Sequence, residues 1–210
     1  MNTIHGILNI KNLDRWFQVL VHIACLVPIP VLIYDAASGN LSADPIRGSI
    51  LRTGKIALVL LVLSLACTPL NTIFGFSPAL RVRRALGDYA FLYVCLHFAI
   101  FVSIDYGFEF QFILPEIIKP YLLAGLIAGV LLIPLAITSF SPWPKRLGKN
   151  WKRLHNLVYV IDFLAAFHYI LVVKQGVTEP YLWMIIIIFL LVLRLPPVRH
   201  FLSGFFTHQE

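Results

Sequence analysis

The chain has 210 residues, of which 59% are hydrophobic and 13% charged, and it carries a net charge of +7. This composition excludes a soluble globular domain and describes a polytopic membrane protein. Six spans of about 20 residues occupy roughly 120 positions; only short loops remain, without room for a nucleotide-binding or catalytic domain, and neither a Walker loop nor a GxGxxG after a strand occurs.

The first apolar run covers residues 16–34, with His22 read as a packing residue and Pro28 and Pro30 as the cause of a kink. No small-residue cleavage site ends a short apolar stretch here, so this span is expected to be retained as an anchor. A polar loop, DAASGNLSADPIRGSILRTG, leads to a second span over 55–74, which carries TPL at Thr68 to Leu70. Arg81, Arg83 and Arg84 then stand directly before the third span, 86–104, which contains His97 and Asp88. An acidic loop with Asp105, Glu109 and Glu116 against Lys119 precedes the fourth span, 120–137, where Gly125 and Gly129 form a GxxxG suited to tight internal packing. A run with five basic residues and no acidic one, TSFSPWPKRLGKNWKRLH, feeds the fifth span, 154–173, with His155, Asp162 and His168; the sixth is 181–195. No task falls to His200 or His208 in the tail.

The basic residues lie in loops between apolar runs, so the positive charge reports topology and not nucleic-acid binding. Lys11 and Arg15, the three arginines before the third span, the cations before the fifth, and Arg194 with Arg199 share one side. The expected fold is therefore an all-α bundle of six transmembrane helices, one domain over 1–210, with both termini cytoplasmic. Cys25, Cys67 and Cys95 lie within apolar segments without CxxC spacing and read as packing residues.

Histidine inside a spanning helix calls for a partner. His155 and His168 are 13 residues apart, roughly 20 Å along a helix and most of a bilayer core of about 30 Å. Measured from the cytoplasmic ends, His97 lies about 16 Å deep and His168 about 22 Å deep, while His155 stays at the edge. Two imidazoles from facing helices could clamp a planar haem with no open position, and the same residues could serve a proton path. Arg81, Arg83 and Arg84 lie near the His155 end, where an arginine fork suits a propionate; the positive-inside bias explains them equally. Asp162 follows His155 by seven residues on nearly the same face, as a proton carrier or a silent protonated carboxyl. The two histidines of the fifth span stand about 140° apart around an ideal helix, which requires two azimuths or a bulge.

Five motifs in order, ADPIRGSILRTGKIAL at Ala43 to Leu58, TPL, RRALGDYAFLYVCLHF at Arg83 to Phe98, ITS at Ile137 to Ser139, and RLGKNWKRLHNLVYV followed by His168 and Tyr169, cover nearly the whole chain. Together they resemble the MsrQ (YedZ) family of haem-binding membrane subunits within the ferric reductase-like transmembrane group. The resemblance implies haem b, one or two groups, with His97 and His168 as ligands of an outer haem. It also implies His155 as a ligand of an inner one, and a bound FMN. It implies a bacterial inner-membrane subunit that is not itself catalytic. Electrons would come from membrane quinol or a cytoplasmic flavin reductase, and the acceptor would be MsrP, a periplasmic molybdopterin subunit that reduces methionine sulfoxide. Larger members of the group use four histidines for two haems. Only three match here, and neither Phe110 nor Gln111 supplies a fourth. A stand-alone ferric or quinone reductase and a small proton-coupled transporter with histidine relays are the rival expectations.

Overall fold

The computed structural model describes residues 2–173, 176–195 and 197–198, with side chains from Asp14 onward. The tail histidines His200 and His208, Arg199 and the Lys11 side chain lie outside the described residues.

Proline sets where most of the long helices begin. It opens α2 (Pro28–Ala37), α3 (Pro45–Phe74), α4 (Pro78–Ile100) and α6 (Pro120–Ser139), because its missing N–H costs nothing in a first turn. α1 spans Asn2–Leu26 and turns into α2 at the Pro28 and Pro30 kink. Asp44 caps α3 by accepting the Arg47 N–H at 3.0 Å, and Gly75, at φ 65°, closes it by donating its N–H to the Asn71 carbonyl. This cap and proline carry α3 back to Pro45, so the polar stretch up to Gly54 is helix where the sequence reading expected loop. Pro78 likewise starts α4 early, so Arg81, Arg83 and Arg84 stand on its first turns and not in front of it.

α4 widens into a π-helical turn over Phe101–Asp105, just past His97. The short α5 (Phe110–Ile117) precedes α6, and α7 (Trp143–Leu147) and α8 (Lys149–His155) lead into α9 (Val158–Val172). Between α8 and α9 the bonding tightens, the Leu157 N–H reaching Leu154 and the Tyr159 N–H reaching Asn156. The ladder is thus interrupted directly after His155, and the ideal winding between His155 and His168 does not apply. α10 runs Glu179–Val192.

α3 packs along α4 and α6 along α9, with α4 against α6 and α10 against α9 and α3. A core of Leu60, Leu61, Leu86, Ala90, Tyr93, Leu132 and Ile161 joins the two pairs, and Leu58, Val62, Leu65, Ala166 and Ile187 bind α10 to α3 and α9. Outward faces stay apolar, as lipid requires: Trp16, Ile33, Ile118 and Ile185 are all exposed. Among the described residues five helices are long and apolar enough to cross a membrane, and α10 is a shorter apolar helix. Its 14 residues span about 21 Å, short of a core of about 30 Å.

Candidate functional site

His97 and His168 approach from different helix pairs and meet. Their ring centroids are 6.3 Å apart, with planes at 89°. Each ring is anchored the same way: Nδ1–H of His97 donates to the Ile50 carbonyl of α3 at 2.8 Å, and Nδ1–H of His168 donates to the Tyr121 carbonyl of α6 at 2.5 Å. A carbonyl only accepts, so both Nδ1 atoms carry the proton and both Nε2 atoms present lone pairs. In each case the residue four positions beyond the accepting carbonyl is glycine. An added Cβ on Gly54 would lie 3.0 Å from the His97 ring, and one on Gly125 would lie 2.8 Å from His168 Nδ1. The glycines therefore make room for imidazoles that bond to helix backbone.

This donor set suits a haem. Two imidazoles on opposite faces of one iron, each at about 2 Å, place their centroids roughly 6 Å apart, with the outer nitrogens held by backbone acceptors. Thr53, fully buried beside His97, keeps its hydroxyl on the Ser49 and Ile50 carbonyls of its own helix. On the His168 side, Tyr121 donates its hydroxyl to Glu116 at 2.8 Å, and Glu116 also accepts from Lys119. Lys119, donating to it, and then Tyr121 hold the Glu116 carboxyl below its ordinary value.

The third histidine lies elsewhere. His155 lines a cavity of about 680 Å³ with Thr68, Arg83, Lys149, Lys152, Tyr159 and Arg194. Thr138 donates its hydroxyl to the Pro134 carbonyl at 2.6 Å, so its oxygen can accept from His155 Nε2–H at 3.1 Å. Trp151 lies over the His155 ring at 4.1 Å and donates Nε1–H to the Thr138 carbonyl. Among the described residues no second imidazole lines this cavity, and α4 contributes Arg83 to it. His155 thus lacks the paired lone-pair geometry of His97 and His168, and its Nε2 is already engaged.

The arginines separate as well. Arg81 pairs with Asp14, and Arg84 lies 3.8 Å from Asp88 and over the Phe140 ring. Arg83 alone of the three lines the cavity, donating to Thr68 Oγ1 at 3.2 Å. TPL has a second use there. Pro69 has no N–H to give the Leu65 carbonyl, and Arg194 donates to that carbonyl instead at 2.5 Å. The same guanidinium donates to the Tyr159 hydroxyl at 2.9 Å.

Sequence reasoning missed Gly54, Gly125, Tyr121, Thr138 and Trp151. Gly125 stood in view as GxxxG, but only Gly129 makes an ordinary packing contact, 3.6 Å from Val94. His22 bonds Tyr89 at 3.0 Å between α1 and α4, a packing role.

A bundle of long apolar helices brings two backbone-anchored imidazoles together, and the class it belongs to is given by residues 53–166, which match the family described as ferric reductase like transmembrane component. The protein-methionine-sulfoxide reductase heme-binding subunit MsrQ of Rhodospirillum rubrum is 39% identical over 198 residues, 93% of this chain and 95% of that protein. The MsrQ of Xanthomonas axonopodis pv. citri is 44% identical over 174 residues, 79% of each chain. The chain belongs to the MsrQ family, and its several long apolar helices make it a multi-pass membrane protein. No solved structure matches it.

Proposed function

We propose that this protein is a haem b-containing electron-transfer subunit of the bacterial inner membrane, serving a periplasmic methionine sulfoxide reductase of the MsrP type. The observation that carries the reading is the His97 and His168 pair, 6.3 Å between centroids with both Nδ1 protons committed to backbone carbonyls. The relatives' names add haem binding and membership of a sulfoxide reductase system.

A haem held by this pair supplies one-electron transfer without an open coordination position. The protein supplies the rest. Ile50 and Tyr121 fix the tautomers, Gly54 and Gly125 admit the rings, and the apolar core excludes water. His155 faces the basic inner cavity, where electrons arrive from membrane quinol or a cytoplasmic flavin reductase. Arg83, Lys149, Lys152 and Arg194 suit the anionic part of such a donor or the phosphate of an FMN. In this reading the inner cavity is the cytoplasmic end and the Glu116 turn the periplasmic one.

The test is spectral and functional. Purified protein from haem-replete cells is expected to show low-spin b-haem bands that His97→Ala and His168→Ala each abolish. Proteoliposomes charged with quinol, or with NADH and a flavin reductase, are expected to reduce the sulfoxide reductase on the opposite face. A colourless preparation would favour the proton-coupled transporter, and haem retained in both variants would refute the ligand pair.

A further inference from the structure

Asp162 is the buried group the electron-transfer reading leaves unused. It is wholly inaccessible to solvent on α9, and neither carboxylate oxygen has a hydrogen-bond partner. The charged group that bears on it is Arg194, whose own Nε is also buried without a partner. Arg194 therefore holds Tyr159 and the Leu65 carbonyl with its two terminal nitrogens while its third nitrogen is unspent.

Buried without donors, a carboxylate is opposed by burial and supported here by one cation, so a change of nearby charge can decide its protonation. Such a change is at hand. Asp162 lies six residues before His168, about 9 Å along α9, and seven after His155, across the interrupted turn between α8 and α9. It thus stands between the facing histidines and the inner cavity. Arg194 and Tyr159, hydrogen-bonded to each other, both line that cavity, and Arg194 is also the cation that bears on the carboxyl.

The other titratable groups on the packed elements have partners of their own, including Tyr93 of α4, buried in one core cluster with Ile161 and donating its hydroxyl to the Cys25 carbonyl at 2.8 Å. α3 brings Cys67, whose thiol donates to the Leu63 carbonyl. α10 carries Glu179 and Tyr181 at its far end, with Glu179 paired to Lys55 at 2.6 Å. α6 has only Tyr121, at the His168 end, and α4 adds Arg83, bonded to Thr68.

We propose that Asp162 is a redox-linked proton station: when one electron from the quinol or flavin donor is stored at the His97 and His168 site, one proton from the inner cavity binds an Asp162 carboxylate oxygen. The electron converts ferric iron to ferrous, the proton forms an O–H bond, and both leave when the electron passes to the acceptor. No net charge then accumulates in the bundle. Asp162 acts here as a positioning and charge-balancing residue, not a ligand, and the inference rests on the haem reading above.

The experiment is potentiometric titration of the purified wild-type holoprotein and of Asp162→Asn, with redox mediators, across the neutral range of pH. One fully coupled proton lowers the wild-type midpoint by about 59 mV for each tenfold fall in proton concentration. In Asp162→Asn the slope is expected to fall by half or more; retention of most of the slope, or a wild-type midpoint independent of pH, overturns the proposal. Should Asp162→Asn not fold with haem, reduced-minus-oxidised infrared spectra of wild type labelled with carboxyl ¹³C-aspartate decide. A protonated aspartic acid band that appears on reduction and shifts with the label supports the proposal, and its absence overturns it. A wild-type protein without haem refutes the parent reading instead, and is told apart by its colour.

Discussion

At the scale of single residues, two glycines decide whether imidazoles can reach helix backbone. In an ordinary helix interior, alanine in place of glycine stabilises by about 1 kcal/mol. At Gly125 the opposite is expected, because the new methyl would stand 2.8 Å from His168 Nδ1 and the ring is already committed to Tyr121. Gly125→Ala should cost about 1–3 kcal/mol, the usual penalty of overpacking, and should lower haem retention in purified protein. A thermal midpoint at or above wild type would contradict this. Gly129→Ala, facing only Val94, serves as the comparison and should be neutral or better. The histidines were legible from sequence because imidazoles in apolar segments are conspicuous. Their glycine partners were not, since a cross-helix bond to a carbonyl depends on the rotation of both helices and leaves no periodic trace.

At the scale of elements, α3 is joined to the segment after α10 where a proline leaves a carbonyl bare. Arg194→Met should orphan the Leu65 carbonyl and remove the cation that supports Asp162, costing about 3 kcal/mol. In a Pro69→Ala background the new N–H can reach Leu65, and the same substitution should cost about 1 kcal/mol less. Additive costs in denaturation of the four proteins would rule out this coupling. The turn before α6 offers a pH test. Glu116 is held below its ordinary value by Lys119 and Tyr121, so its contribution is present above the ordinary carboxylate range and is lost as pH falls through the lowered folded value. Carbon NMR of ¹³C-glutamate-labelled protein should place the Glu116 midpoint below ordinary, and Lys119→Met should return it upward. An unmoved midpoint would exclude the contact as cause. TPL and ITS could be recognised as patterns from sequence, but not what they hold. Thr68 and Pro69 act on cations from α4 and the segment after α10, and Thr138 acts on a histidine 17 positions away.

At the scale of the whole molecule, hydropathy made the bundle legible but blurred its edges. Asp44 and Pro45 extend α3 into a stretch that composition marks as loop, and this extension places Ile50 and Gly54 opposite His97. The tightened turns after His155 interrupt the helix between it and His168, so the angle an ideal helical wheel assigns to the two rings does not apply. What results is a molecule with two unlike ends: a paired-imidazole end near the Glu116 turn, and a basic cavity at the His155 end. The rings of the pair stand at 89° to one another, and for ferric iron between two imidazoles that angle governs the magnetic anisotropy. Low-temperature electron paramagnetic resonance of the oxidised purified protein therefore tests the central claim most directly. The account predicts a highly anisotropic low-spin ferric signal of perpendicular imidazoles, absent from His168→Ala. A high-spin axial signal, or the rhombic low-spin spectrum of parallel rings, would contradict it.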